Sequence, residues 1–267
     1  PPPPPPTTTQ FDRRRQRQMC IRDRQYGRPA SGLTVMALIR YLLYFLGVGL
    51  VTWLLIALEI AAPGSLKLHQ YVHPGDTLGT SEYSPVEIMQ LGILVICGLL
   101  YAWVAMNCPS QRPIAFLFGG LALIFAVREL DYFLDRFIAD NFWQLLIGIS
   151  ASLLIAYMWR QRRRFRIAWL RLWPSPGLTL LFAGAIINFA FVQFAGHEPF
   201  WQALLGGDYV RIVKVSVEEL VELSGYFLWM IGTIEYTYQA KAIAFREPQP
   251  AAAKKRAGRL PRSEGRF

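Results

Sequence analysis

The sequence predicts an all-α protein: a bundle of about six transmembrane helices with both termini in the cytoplasm. The 267 residues are 53% hydrophobic and 14% aromatic, and the mean hydropathy is +0.27, which is too apolar for an ordinary soluble domain. The apolar residues form runs that approach the roughly 20 residues a helix needs to cross a bilayer. Arginines gather between alternate runs, as the positive-inside rule predicts for cytoplasmic loops.

Composition also excludes several classes of protein. The net charge of +10 does not indicate nucleic-acid binding, because no recognition module accompanies it. The three cysteines, Cys20, Cys97 and Cys108, form no CxxC pair and no disulfide framework. The sequence contains no phosphate-binding glycine loop, nucleophile elbow, haem-attachment motif or HExxH metal motif. It therefore predicts a membrane architecture without naming a catalytic residue.

Residues 1–35 are predicted to be a disordered basic leader that is partly artefactual. They contain a proline tract and a block of arginines, but no apolar core of a signal peptide. The segment from Met19 to Arg24 can be encoded by DNA that resembles a transposase adapter end, so we expect about the first two dozen residues to be an assembly artefact and Met36 to be the native start. The alternative is a genuine disordered tail. Residues 36–245 are the predicted membrane domain, and residues 246–267 a disordered basic cytoplasmic tail.

The first two predicted spans cover about residues 41–60 and 84–107. A Pro-Gly pair ends the first span, and the loop that follows carries one basic residue, Lys67, which places it on the non-cytoplasmic side. The sequence S-P-V-E at residues 84–87 is a capping box with proline at the first helical position. A helix is therefore predicted to begin there.

Four further spans follow. The third begins at Ile114, the fourth ends at Trp159, the fifth covers about residues 178–194, and the sixth begins at Val215. Prolines precede the third and fifth spans, where they are compatible with a helix start. Six spans leave both termini and the basic segments on one side of a plasma membrane, which we expect to be a bacterial inner membrane.

The segment from Arg160 to Arg171 gives the strongest topological signal. It holds six arginines among tryptophans, so it is predicted to lie in the cytoplasm. Two interpretations stay open. The arginines are only topology determinants, or the segment also lies on the surface and binds anionic lipid, since arginine and tryptophan suit the headgroup layer.

Charged residues interrupt the third and sixth spans at the same predicted outer end. The apolar run of residues 114–127 has 14 residues, fewer than a crossing needs, so part of the charged block at residues 128–136 is expected to face a protein interior. Helical spacing puts Arg128, Asp131 and Asp135 on one face. The candidate site residues are Arg128, Glu129, Asp131, Tyr132, Asp135, Arg136, Glu218, Glu219, Glu222 and Tyr226, with Glu87 and Gln90 one helical step apart on the second span.

In the third and sixth spans, six carboxylates of this list outnumber its two arginines by four if all of them are ionised. Carboxylates crowded in a low dielectric disfavour each other's ionised forms, so either some hold protons or a cation supplies the balance. The first hypothesis is therefore cation- or proton-linked transport or sensing.

Two other hypotheses stay open. A divalent metal ion, held by carboxylates and by His69, His73 and His197, would make the chain a membrane-embedded metal-dependent hydrolase. Alternatively the charges form salt bridges that set the register of the helices in a non-catalytic assembly or scaffold protein. The oligomeric state is not predicted.

Three short motifs resemble those of uncharacterised multi-pass bacterial membrane proteins. They are E-x-x-Q at residues 87–90, R-E-L-D at 128–131 and E-E-x-x-E-x-x-G-Y at 218–226. The resemblance covers about residues 41–241 and implies an inner-membrane bundle with no known activity. The membrane-embedded ceramidase-like hydrolases fit less well, because the one HxxxH pattern lies in an early loop and not in a late span.

Overall fold

A computed structural model describes residues 31–66 and 84–246, and within these ranges the regular structure is helical, with no strand. This confirms the all-α prediction. The chain divides into two units, residues 1–54 and 55–267, and the packing described below belongs to the second. The helices are α1 (Ser31–Ala61), α2 (Pro85–Asn107), α3 (Arg112–Glu129), α4 (Asp131–Phe137), α5 (Phe142–Arg160), α6 (Arg162–Leu172), α7 (Pro176–Ile186), α8 (Val192–Ala195), α9 (Glu198–Leu205) and α10 (Arg211–Arg246).

Four helical segments of the described chain are long and apolar enough to cross a membrane. They are Val35–Ala61, Pro85–Asn107, Phe142–Arg160 and Pro176–Ala195, and they correspond to the first, second, fourth and fifth predicted spans. The third and sixth predicted spans form α3 and α10, which are not among these four segments. The structure therefore supports a membrane protein, while the count of six spans rests on the sequence.

Side chains close the ends of these helices as the sequence predicts. Ser84 Oγ accepts a hydrogen bond of 3.0 Å from the Glu87 N–H, and proline occupies the first helical position of α2. After α1, the Glu59 carboxylate accepts hydrogen bonds from the backbone N–H groups of Gly64 at 2.6 Å and Leu66 at 3.0 Å. Gly64 has a φ of +83°, which glycine adopts without a steric penalty.

The helix α10 packs against α7 through glycines on both partners. A Cβ on Gly184 would lie 2.7 Å from the Gly225 carbonyl oxygen, and one on Gly177 would lie 2.7 Å from the Tyr236 nitrogen. Each distance is far below ordinary van der Waals contact, so only glycine permits this antiparallel approach. Small residues let membrane helices approach closely, and here they fix α10 to α7.

The other face of α10 packs on α2 and α3 through buried aromatic rings. Tyr101 on α2 is 1% exposed, and its hydroxyl lies 2.7 Å from Thr233 Oγ1. The ring of Phe125 on α3 meets Trp229 of α10 edge to face, with centroids 5.6 Å apart. Contacts of α5 are mainly with α3, and no residue of α5 is buried.

The structure differs from the sequence prediction around the third and fifth spans. The third helix does not continue through the charged block, because α3 ends at Glu129 and a separate short helix, α4, begins at Asp131. The helix that begins at Pro176 contains a π-helical turn, Ile187–Phe191, which periodicity does not reveal. The sixth helix begins at Arg211, one turn before the predicted Val215.

Candidate functional site

A cluster of ionisable side chains lies where α2 begins, α3 ends and α10 passes its third turn. It contains Arg128 and Glu129 from α3 and Glu219, Glu222 and Tyr226 from α10, and we call these five residues the acidic cluster. Three of the five carry carboxylates and one carries a guanidinium. Glu222 and Tyr226 are almost wholly buried, at 2% and 0% exposed.

The centre of the acidic cluster is the Tyr226 hydroxyl between two carboxylates. It donates a hydrogen bond of 2.7 Å to Glu129 Oε1 and lies 3.3 Å from Glu222 Oε1. The same Glu222 oxygen is 2.7 Å from Arg128 Nη2. Because a phenol has one proton, the short contact to Glu129 assigns that proton, and the Glu222 carboxylate depends on Arg128 for its main donor.

Exposure is unequal across this ion pair. The Arg128 side chain is 42% exposed, whereas the Glu222 side chain is 3% exposed. A charge that is buried costs far more than one that reaches polar surroundings, so Glu222 is the member whose neutralisation matters. The guanidinium forms the accessible side of the acidic cluster.

Gln90 joins α2 to the acidic cluster on α10. Its Nε2 donates to the Glu219 backbone oxygen and to Glu219 Oε2, both at 3.2 Å. Gln90 is 0% exposed, and its Oε1 has no hydrogen-bond partner among the described residues. The amide therefore leaves one buried acceptor next to the Glu219 carboxylate.

Glu218 is paired with a lysine of its own helix. Lys214 Nζ lies 2.7 Å from Glu218 Oε2, one helical turn away on α10. Gly196 packs directly on the Glu218 carboxyl, so a side chain there would require that carboxyl to move. The sequence prediction compared the carboxylates with Arg128 and Arg136 and left out Lys214, although the i, i+4 spacing of Lys214 and Glu218 indicates an ion pair on a helix.

Asn188 adds a polar side chain beside the acidic cluster. It lies in the π-helical turn and is 6% exposed. Its side-chain oxygen fills the space where a Cβ of Gly225 would lie, and neither amide atom has a hydrogen-bond partner among residues 31–66 and 84–246. Such turns are frequent at functional sites. The sequence showed a mid-span asparagine but not this geometry.

The remaining predicted site residues lie elsewhere. Asp131 and Asp135 are on α4, so they no longer share one continuous helical face with Arg128. Glu87 is in the first turn of α2, and His197 is exposed before α9. Tyr132 and Arg136 lie on α4, but their side chains are outside the described part, as are His69 and His73 entirely.

No group of three or more His, Cys, Asp or Glu side chains within the described residues has the arrangement of a metal site. The described ligands thus do not add support for the divalent metal hypothesis, whose first two histidines fall in residues 67–83.

Comparison with known proteins adds no relative. No protein-family model, no curated protein and no solved structure matches the chain. Function must therefore be argued from the site itself.

Chemically, the acidic cluster offers a carboxyl, a phenol and a second carboxyl within hydrogen-bond distance of one another. Such a chain can pass a proton between Glu129 and Glu222 by exchanging the donor role at Tyr226. Arg128 joins Glu222 to α3, and Gln90 joins the neighbouring Glu219 to α2. The arrangement is suited to a change of protonation or of bound cation that alters how α2, α3 and α10 are joined.

Proposed function

We propose that the chain is a six-span inner-membrane protein whose acidic cluster serves cation- or proton-linked transport or sensing. In this topology α3 and α10 are the third and sixth spans, both termini are cytoplasmic, and the acidic cluster faces outward. The placement of arginines supports the topology. The three sequence motifs that resemble multi-pass bacterial membrane proteins support the location.

The observation that carries the proposal is the imbalance of charge at a buried place. Glu129, Glu219 and Glu222 face one guanidinium, and Lys214 is already paired with Glu218. With all three carboxylates ionised, the site would keep two negative charges in surroundings where Coulomb forces are weakly screened. A proton or a cation bound at the site removes this cost.

The neighbours of the acidic cluster explain how occupancy would be transmitted. Gln90 of α2, Arg128 and Glu129 of α3, and Asn188 of the π-helical turn face α10. Protonation of Glu222 would release Arg128, which holds α3 to α10. Protonation of Glu219 would change the acceptor that holds α2. Each event biases the packing of a helix pair, which is the requirement for a sensor or a gate.

Two alternative functions, a non-catalytic assembly protein and a metal-dependent hydrolase, concern the same site. A non-catalytic assembly protein is favoured by the contacts that join α10 to α3 through Arg128 and Glu129 and to α2 through Gln90, since register alone explains such pairs. A metal-dependent hydrolase requires a bound metal. Elemental analysis of the purified protein tests the hydrolase, because metal-free protein with no sensitivity to chelators would contradict it, whereas a metal lost together with Glu219 and Glu222 would fit a hydrolase or cation-linked transport.

The direct test compares Glu222→Gln with Glu198→Gln. Glu198 is on α9, where it accepts a hydrogen bond from Gln202 at the surface, so its replacement removes one carboxylate without touching the acidic cluster. Purified proteins are reconstituted into liposomes, and proton or cation flux is followed with an internal dye while intrinsic tryptophan fluorescence is titrated with acid. We expect Glu222→Gln to remove the flux or the pH response, and Glu198→Gln to keep both.

Equal behaviour of the two variants with the protein correctly inserted would contradict the proposal and favour the assembly function. A pH response without flux would select sensing over transport.

A further inference from the structure

A second polar pocket lies at the end of the bundle opposite the acidic cluster. It occupies about 400 Å³ where α2 ends, α3 begins and α5 passes into α6. The residues that line it are described completely and include no carboxylate. Its polar lining consists of Arg112, Arg164, Arg171, Tyr157, Gln161 and Ser110, and we call it the arginine pocket.

The fold selects which arginines reach this pocket. Arg164 and Arg171 are seven residues apart on α6, which places them on one face after two turns. Arg166 is two residues from Arg164 and therefore points away from that face. Arg112 comes from α3, where its Nε donates a 2.8 Å hydrogen bond to the Ala105 carbonyl. Three guanidinium groups from two elements thus converge, while other arginines of the segment do not take part.

Guanidinium groups bind phosphate through paired, charge-assisted hydrogen bonds. Arg112, Arg164 and Tyr157 line the same pocket. Ser110 Oγ is buried without a hydrogen-bond partner among the described residues, which makes it a further donor. The chemistry of the arginine pocket is that of a phosphate site.

An apolar groove continues from this pocket along the bundle. It occupies about 470 Å³ between α2, α3 and α5, and Tyr157 lines both spaces. Small residues open it, because Gly98 has no atom within 4 Å of where its Cβ would be. The groove reaches Leu123 on α3, and from Pro113 that helix rises about 15 Å at roughly 1.5 Å per residue. This equals half of the roughly 30 Å hydrocarbon core, so the groove is about one leaflet deep.

We propose that the arginine pocket and the apolar groove together bind one anionic phospholipid from the leaflet on the arginine-rich side. The phosphate lies among Arg112, Arg164 and Arg171, and one acyl chain lies along α3 and α5. The charge of the arginine pocket supports a phosphate, and the depth of the groove supports a lipid over a soluble anion, because a free phosphate would leave the groove unoccupied. This site is independent of the acidic cluster and differs from general adsorption of α6 to a charged surface, which would use every arginine of the segment alike.

The test is retention of lipid by the purified full-length protein. The protein is exchanged into detergent with phosphatidylglycerol or phosphatidylcholine of equal chain length, and bound lipid is counted by native mass spectrometry. We expect one tightly bound phosphatidylglycerol and no equivalent phosphatidylcholine. Arg164→Gln should reduce retention about tenfold or more, as loss of a charge-assisted hydrogen bond implies. Arg166→Gln removes the same charge and should leave retention unchanged.

A second pair of variants tests the acyl chain. Gly98→Leu fills the groove, while Gly92→Leu adds the same side chain to α2 at another position with open space. We expect Gly98→Leu alone to lose the lipid while still binding inorganic phosphate in a separate titration. Equal loss in Arg164→Gln and Arg166→Gln would overturn the site in favour of surface adsorption. Phosphatidylglycerol retention that Gly98→Leu leaves intact would overturn the placement of an acyl chain in the groove and leave recognition of the headgroup alone.

Discussion

Removing Arg128 should destabilise the protein much more than removing its partner, Glu222. In Arg128→Gln, the Glu222 carboxylate loses its 2.7 Å ion pair while its side chain is only 3% exposed. In Glu222→Gln, the guanidinium is left on a side chain that is 42% exposed, so it can reach polar surroundings, and the new amide still accepts a hydrogen bond. The asymmetry follows from burial and not from the pair's own strength.

The expected size comes from the cost of leaving a buried charge without a partner. Breaking a fully buried pair costs about 3–5 kcal/mol. The exposure of Arg128 weakens the pair by solvent screening, so we expect Arg128→Gln to lower the free energy of unfolding by about 2–3 kcal/mol. Glu222→Gln should change it by about 1 kcal/mol or less, since it also removes repulsion from Glu129. The double variant should be nearer to Glu222→Gln, because the charge that caused the cost is gone.

The measurement is unfolding in mixed micelles titrated with dodecyl sulfate, at neutral pH and again after acidification. The loss in Arg128→Gln should shrink on acidification, because a protonated carboxyl no longer needs the guanidinium. If Glu222→Gln is as costly as Arg128→Gln, or if the double variant is worse than both, the reasoning that Arg128 neutralises a buried Glu222 is refuted.

Two further predictions concern the contacts that hold α10. Gly184→Ala places a Cβ 2.7 Å from the Gly225 carbonyl oxygen, so it should destabilise the protein by about 1–3 kcal/mol. Gly92→Ala, with open space around it, should be neutral or stabilise the protein by up to about 1 kcal/mol. Unfolding of both variants in micelles checks this, and equal midpoints would contradict the close packing of α7 on α10. Gln90→Leu removes the donor to Glu219 and should cost about 1–3 kcal/mol. Gln144→Leu, at an exposed hydrogen bond to Asn141, should stay within about 0.5 kcal/mol, and a Gln90 variant as mild as this control would show that the amide does not hold α2.

Local sequence rules predicted where α1 ends and where α2 begins, but they did not predict where α3 ends. The capping box at Ser84 and the stop after Glu59 depend on neighbouring residues, so they are readable from the chain. The spacing argument for Asp131 assumed an unbroken helix, but the third helix ends at Glu129. Nothing in the periodicity signals that break, because charged residues fit a helix turn as well as a helix interior.

The acidic cluster was also predicted only in part from the sequence. The shared loss of apolar residues in α3 and α10 placed Arg128 and Glu222 at one end of the bundle, and the structure brings them to 2.7 Å. The role of Tyr226 between two carboxylates was not readable, since it depends on the rotation of α10 about its axis. That rotation depends on the close contact between Gly225 of α10 and Gly184 of α7.

The position of the acidic cluster along α10 bears on what it can do. From Leu223 to Lys241 the helix rises about 27 Å, close to the roughly 30 Å of a hydrocarbon core. In the proposed topology Glu222 lies at the edge of that core, where a proton or cation arrives without crossing lipid. Sensing needs nothing more than this access and a change in helix pairing. Transport additionally needs a path past the buried hydroxyls of Tyr101, Thr233 and Tyr236. Tyr101→Phe removes the first of these hydroxyls, so a flux that stops in this variant would argue for transport. A pH response that persists in the same variant would argue for a sensor.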